Sequence, residues 1–532
     1  MLSLNIIYVI IIIIIIMIIY VLFYSNNYKK TTIENLQLID SFPILDCDIL
    51  IVGAGASGIY CAWRLSQEYP NKRIMVVEST GRIGGRLESI PFGNANIYAE
   101  MGGMRTFPGI DTYLTQLLQI LNIPTIVLPY IEPDNIAFVR GHRMNINVLN
   151  SSSSTSIERK KLITLYQLPE REHNISINNL ILNAVKKAAP YYQTNWSQIF
   201  QSDYLNNTSF VSMLQENGVS NGAIEAYRDF SGYNFSFDVE IAASTGIREN
   251  ISLSGMGQQH FVIGGYDSFV KKMALETFSR PNTSLILSTQ LKKIILLNNN
   301  TTNCLFQTGN NTIQINSKSI ILAIARNYLL QVDAPWTNSA IQAMDSVNSW
   351  TAFKAFLSVD KQTYQILSQN GLLKGRCISD LPARQIWFYS ENPPELLVYA
   401  DDIDADYWSK YVPEEGKKYP IYSNPNQNIS LTNELVRQIA IVFGVDPNVI
   451  KINNILYKYW NAGAYFWRPS NIPYLMSSIN TPIDTSIDSQ HAIYVVGSDF
   501  SYSQGWVEGA IESADGIMTK YFGLNNFVDK YN

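Results

Sequence analysis

Short apolar runs of strand length alternate with stretches of helical spacing along most of this chain, the pattern of an α/β fold. Asp48-Ile-Leu-Ile-Val52 and Arg73-Ile-Met-Val-Val77 read as buried strands, and Ile59 to Gln67 between them reads as a helix. Strand-like character returns in Leu285 to Ile295, in Lys318-Ser-Ile-Ile-Leu-Ala-Ile-Ala325 and in Ala492-Ile-Tyr-Val-Val-Gly497. Tyr113 to Leu121 has helical spacing, and Ile157 to Val185 alternates apolar and charged residues in a way that permits helices. Ser151-Ser-Ser-Ser-Thr155 is a polar loop, and no internal repeat or charge block is visible.

One apolar run stands apart. Ile6 to Tyr24 contains no charged residue and no polar group beyond tyrosine hydroxyls near its ends. At ~1.5 Å per residue it reaches about 28 Å, close to the ~30 Å hydrocarbon core of a bilayer. It is expected to form a single transmembrane helix (1–30, anchor) followed by a polar tether (31–46). A cleaved signal peptide fits less well, because no basic residue precedes the run and no small-x-small site follows it. Lys29 and Lys30 flank its C-terminal side, which by the positive-inside rule places the body of the protein on the cytosolic side of the membrane.

The strongest chemical signal lies between the first two strands. Gly53-Ala54-Gly55-Ala56-Ser57-Gly58 joins strand to helix, as a dinucleotide site requires. Gly53 suits a tight turn, Gly55 lets backbone approach a pyrophosphate, and Gly58 allows close packing of helix on strand, with the helix N-terminus supplying partial positive charge. The second strand delivers Glu78 and Ser79, an acidic position suited to an adenosine ribose. Gly81-Arg82-Ile83-Gly84-Gly85-Arg86 then adds a second glycine-rich turn, with Arg86 able to offer a fork of donors to phosphate oxygens.

This pairing of turns resembles the flavin-containing amine oxidase family, whose members bind FAD. The resemblance covers most of Cys47 to Met518 and is concentrated at the two ends. It implies a discontinuous Rossmann-like FAD-binding domain (47–107, 258–326 and 489–525) and a mixed α+β substrate domain (108–257 and 327–488). Within the family, Tyr98-Ala-Glu100-Met101-Gly102-Gly103-Met104-Arg105 is similar to the L-amino-acid oxidase and tryptophan monooxygenase-like subset, whose arginine grips the substrate carboxylate. A guanidinium meets a carboxylate with two parallel charge-assisted hydrogen bonds and fixes the face presented to the flavin. The plainer alternative for Arg105 is an ion pair with Glu100 or a helix cap.

Lys354, in Trp350-Thr-Ala-Phe-Lys354-Ala-Phe-Leu, matches the lysine that reaches flavin N5 through a water in this family, the alternative being a solvated strand lysine. Gly497-Ser498-Asp499 through Gly505-Trp506-Val507 resembles the closing FAD motif, and Leu291 is a further cofactor-binding candidate. Trp506 matches an aromatic that walls the substrate cavity, and Tyr465 is a candidate for the facing wall; core packing is the alternative for both. No cysteine stands near Ala464, so FAD is expected to be noncovalent. In the snake-venom-like oxidases a tyrosine helps hold the carboxylate in the stretch resembling Asp380 to Tyr389, where this chain puts Trp387 or Phe388 at the best match. No histidine matches their proposed base; His260 reads as structural.

The resemblance implies an FAD-dependent oxidoreductase. It would oxidise the C–N bond of an L-amino acid or related amine to an imine, hydrolysed to an oxo product and ammonia, with O2 reduced to hydrogen peroxide. Two alternatives stand beside it: a monoamine or polyamine oxidase without carboxylate recognition, and a catalytically silent tethered flavoprotein. Composition limits the field further. The 532 residues carry a formal net charge of −5, which leaves no basic surplus for nucleic acid. Four scattered cysteines, Cys47, Cys61, Cys304 and Cys377, suggest neither a disulfide scaffold nor a metal site.

Overall fold

The computed structural model describes residues 45–531, apart from 128–133, 193–195, 235–236, 238–239, 254–257, 298–299, 373 and 484–490. The strand expected at Asp48 forms as Leu45–Val52 and sits centrally in a seven-stranded sheet. It pairs in parallel with Ile74–Val77 on one side and with Asn311–Leu322 on the other. Thr283–Ile286 extends the parallel order beyond Ile74–Val77, and Ala492–Val495 pairs with the end of Asn311–Leu322. Strands covered on both faces carry continuous apolar runs, and Ile49 to Val52 are each at most 3% exposed. Gln290–Leu296 and Thr302–Thr308 complete the sheet as antiparallel strands against the front half of Asn311–Leu322.

Helices Ala56–Glu68, Ser268–Phe278 and Val507–Phe522 bury one face of this sheet, their Tyr60, Phe269 and Ile511 packing in a core shared with Ile49 and Ile51. The segment expected to return the chain to the sheet near Phe261 begins differently. His260–Val262 pairs with Thr125–Val127 in a separate two-stranded sheet before helix Ser268–Phe278.

A second, eight-stranded sheet is built from Ile421–Ser423, Ile452–Trp467, Val347–Val359, Pro394–Asp401, Gln385–Glu391, Arg376–Ser379, Ile136–Val139 and His142–Asn145, in that order. Period-two alternation gives it two faces. Phe353, Ala355 and Leu357 point into a core with Trp408 and Leu435 from helices Asp402–Ser409 and Ile429–Phe443. Lys354 and Phe356 point the opposite way, toward the first sheet's loops, with Leu397 and Trp387 on the same side. Helices Ile157–Tyr166 and Ile177–Ala188 form where helical spacing permits them, and Asn221–Ser231 adds a third, each with a serine side chain capping its first turn.

Among the described residues no helix is long and apolar enough to cross a membrane. The 16-residue helix Val507–Phe522 rises only about 24 Å and carries Glu508 and Asp515. The expected single transmembrane helix is corrected accordingly: the fold is α/β, with no membrane-spanning element among the described residues. Contact with a lipid bilayer and single-pass anchoring with the body on the cytosolic side are not retained. The run Ile6 to Tyr24 itself lies outside the described residues.

Candidate active site

Two glycine-rich turns and one late turn converge at the ends of the parallel strands. Gly53 leaves strand Leu45–Val52 with φ +104°, and a Cβ there would stand 2.3 Å from the Ala323 carbonyl oxygen. At Gly58 a Cβ would stand 2.0 Å from the Gly53 carbonyl oxygen, so neither position accommodates a side chain. Gly55 differs: its Cβ would meet only Gly85 Cα, at 3.8 Å, leaving exposed backbone beside the second turn. The Gly84 amide donates to the Ala54 carbonyl at 2.8 Å and binds the two turns together.

Glu78 closes one side of this cradle. Its Oε2 accepts from the Ala54 amide at 2.8 Å, and its Oε1 accepts from the Thr80 amide at 2.8 Å and from Ser79 Oγ at 3.2 Å. Leu291 is buried two residues beyond Thr289, whose amide donates to the Glu78 carbonyl. On the other side, Arg86 Nη2 donates to Ser498 Oγ at 3.0 Å and pairs with Asp499, while its guanidinium carbon lies 5.3 Å from the Tyr465 ring. Helix Ala56–Glu68 starts at Gly55 and helix Val507–Phe522 at Trp506, neither with a side-chain cap. Their first-turn amides are thus available to an anionic ligand. Open backbone at Gly55, uncapped helix ends, a carboxylate and a guanidinium are the donor and acceptor set that a dinucleotide fits. Gly53, Gly55, Ala56, Ser57, Gly58, Glu78, Ser79, Gly85, Arg86, Ser498 and Asp499 thus gather around one cradle.

The second sheet faces this cradle through Lys354. Its Nζ donates to the carbonyls of Glu100 at 2.9 Å and Gly102 at 2.5 Å and lies 4.9 Å from the Tyr399 ring centre. At 3% exposure it is not a solvated strand lysine. Burial pulls its ammonium down to about 7, against the opposing charge of Glu100 and with help from Arg105. Burial likewise pushes Glu100 up to about 8, although Ser89 Oγ and the Tyr266 amide donate to its carboxyl group. Trp460 Nε1 donates to the Met101 carbonyl at 2.6 Å, and a Cβ on Gly102 would stand 1.8 Å from the Arg86 carbonyl oxygen. The segment Glu100 to Arg105, with Gly103 and Met104, is therefore clamped between the second glycine turn and the second sheet.

Arg105 emerges from that clamp into an aromatic box. It is 5% exposed, and its Nη2 donates to Tyr233 Oη at 2.5 Å. Its guanidinium carbon lies 5.4 Å from the Trp387 ring and 6.0 Å from each of the Phe107, Tyr233 and Trp506 rings. Arg376 enters the same box, 5.3 Å from Tyr233 and 5.7 Å from Trp387. Trp506 packs edge-on against Phe107, with ring centroids 5.5 Å apart, and its Nε1 donates to Glu249 Oε2 at 2.9 Å.

Arg105 thus stands beside the Trp506 ring and close enough to Lys354 for its charge to be felt there, whereas Tyr465 lies under Arg86 in the cradle. Tyr389 Oη donates to the Tyr98 carbonyl at 2.6 Å, and Trp387 takes the place facing Arg105. Tyr233, Arg376 and Glu249 were not singled out from sequence. Tyr233 follows Gly232, the left-handed cap of helix Asn221–Ser231, and that glycine after a helical run is the only local signal for it.

Residues 56–515 match the family of flavin-containing amine oxidoreductases. The chain belongs to that family. This flavin-containing amine oxidoreductase is 49% identical over 91% of its length to the uncharacterized protein R188 of Acanthamoeba polyphaga mimivirus, covering 96% of that protein. It is 20% identical over 87% of its length to an L-amino-acid oxidase of Bothrops pauloensis, again covering 87% of the relative. Its fold is similar to a solved putrescine oxidase bound to putrescine, with a TM-score of 0.63, 18% identity, and coverage of 91% of this chain and 100% of the other. It is an FAD-dependent enzyme of the amine-oxidase type, coupling oxidation of an amine to reduction of O2.

Proposed function

We propose that this oxidoreductase acts on an amine whose reacting carbon also bears a carboxylate, an L-amino acid or close relative. The observation that carries the reading is Arg105, a buried guanidinium set in a box of Tyr233, Trp387, Phe107 and Trp506 close to Lys354. Desolvating a guanidinium costs several kcal/mol, and a carboxylate returns that cost through paired charge-assisted hydrogen bonds. The rings hold the substrate's apolar part and exclude water, which strengthens the ion pair.

When bound, FAD supplies the hydride acceptor and passes the electrons to O2. Gly53 to Gly58, Glu78, Ser79, Gly85, Arg86, Ser498 and Asp499 would hold it, with Gly505 to Val507 opening the uncapped helix at its far end. Lys354 holds a proton at Nζ between the Glu100 and Gly102 carbonyls, and burial leaves that proton exchangeable near neutral pH.

A second reading is an oxidase of simple amines. It is favoured by the fold likeness to putrescine oxidase, since putrescine has an amine at each end and no carboxylate. Anaerobic flavin bleaching across amino acids and simple amines, in the wild type and in Arg105→Ala, separates the two. Amino acids should bleach the wild type. The variant should require tens to thousands of times more substrate, matching ~2–5 kcal/mol for a broken buried charge pair. Bleaching by simple amines alone, unchanged in the variant, would overturn the carboxylate reading.

A further inference from the structure

Glu249 is the buried acid that the cavity description leaves without a task. It lies on helix Ala243–Leu253 and is 1% exposed. Oε2 accepts from the indole of Trp506, while Oε1 is buried and takes part in no hydrogen bond among the described residues. A buried carboxylate oxygen left unsatisfied costs roughly 1–3 kcal/mol or more, and such groups need an explanation. The indole to which it is tied is the same ring that stands 6.0 Å from Arg105. One tryptophan therefore has a group for an anion near its ring and a group for a cation at its Nε1 edge.

We propose that Glu249 receives the substrate's ammonium: Oε1 accepts an ammonium hydrogen bond and then the proton, leaving the neutral amine that can surrender its α-hydride. In that step an N–H bond breaks and an O–H bond forms. The electron pair stays on nitrogen, and the positive ammonium and negative carboxylate become a neutral amine and a neutral carboxylic acid. The proposal deepens the carboxylate reading, because Arg105 and Glu249 together match the two ends of a zwitterion.

Burial supports the assignment by pushing the Glu249 carboxyl up to about 8, with Arg248 opposing and Asp111 adding to the rise. The ionised fraction, a minority at pH 7 that grows through pH 8, is a strong proton acceptor. The charged groups around it are fixed by other partners. Arg248 reaches Asp111 at 3.9 Å and Ser503 Oγ at 3.3 Å, and Glu508 takes the Tyr113 and Leu114 amides at the start of helix Thr112–Ile120. Glu512 lies close enough to Arg248 to feel its charge, and Arg105 stands on the far side of the Trp506 ring.

The test uses FAD-loaded Glu249→Gln and Glu249→Asp. Calorimetric titration with benzoate, a carboxylate with no ammonium, should give dissociation constants within about twofold of wild type for both. For L-amino acids, kcat/KM of Glu249→Gln should fall roughly 10²–10⁴-fold at pH 7. Above pH 8, where wild-type Glu249 is ionised, the deficit should shrink about tenfold per pH unit toward the substrate amine's own pKa, because neutral amine then arrives from solution. Glu249→Asp, which keeps an acid, should recover part of the rate and a titrating limb in the profile. Wild-type kcat/KM with a wild-type pH profile in Glu249→Gln would overturn the proposal, as would a loss that does not vary between pH 8 and 10. If simple amines prove to be the substrates, the same pH-dependent loss measured on them upholds Glu249 while the carboxylate reading fails.

Discussion

Glu395 offers a direct check on the energetics of this interior. It sits at the start of strand Pro394–Asp401, fully buried, with neither carboxyl oxygen in a hydrogen bond among the described residues. Gly93 packs so close that a Cβ there would stand 1.8 Å from Oε1. With no partner to favour the charged form, burial alone raises its pKa from 4.5 to about 7. The folded protein therefore retains a proton that the unfolded chain releases between pH 4.5 and 7, and stability falls across that window as pH rises. A shift of about 2.5 units corresponds to roughly 3 kcal/mol. Glu395→Gln removes this titration. Relative to wild type, the variant should gain about 1.4 kcal/mol per pH unit above pH 4.5 and level off near pH 7 at roughly 3 kcal/mol. For 532 residues the unfolding entropy is about 1.1 kcal/mol per kelvin, so the gain in Tm is about 3 °C. Paired thermal melts at half-unit pH steps from 4.5 to 8 read it. A difference that stays constant with pH would refute the reasoning, because the carboxyl group would then have a compensating donor.

Two further outcomes follow from the cradle and its lysine. Gly55→Val should leave the apoprotein's Tm within about 1 °C, since its side chain has room, yet should abolish retention of FAD in the purified protein. Gly58→Val, driven into the Gly53 carbonyl, should lower the apoprotein's Tm as well; absorbance spectra and melts distinguish the two. Lys354→Met should keep FAD bound but slow turnover tenfold or more. It should also remove any change in rate near pH 7 that comes from loss of the ammonium as pH rises, which stopped-flow traces across pH 6 to 9 would reveal.

The cofactor cradle was legible in the sequence because each of its parts is local. Gly53 to Gly58 and Gly81 to Arg86 each carry their turn chemistry within a few residues, and Gly497 to Asp499 follows a strand that its apolar run announces. Arg105 and Lys354 were legible through motif resemblance, and the structure adds that both are buried and adjacent. The rest was hidden because it depends on distant packing. Tyr233, Arg376 and Glu249 come from three separate elements, none with an unusual spacing. The contact of the Tyr465 ring with Arg86 joins strand Ile452–Trp467 to the second glycine turn across a sequence distance that no local pattern signals.

The pairing of Ala492–Val495 with Asn311–Leu322 has a consequence for biosynthesis. Until more than nine-tenths of the polypeptide has emerged from the ribosome, the end of Asn311–Leu322 offers an unpaired hydrogen-bonding edge, and the turn bearing Ser498 and Asp499 does not yet exist. Nascent molecules therefore pass through a stage with a sticky open margin and an incomplete cofactor cradle. Premature stop codons anywhere before Ala492 should thus yield colourless, aggregation-prone fragments rather than partially active enzyme.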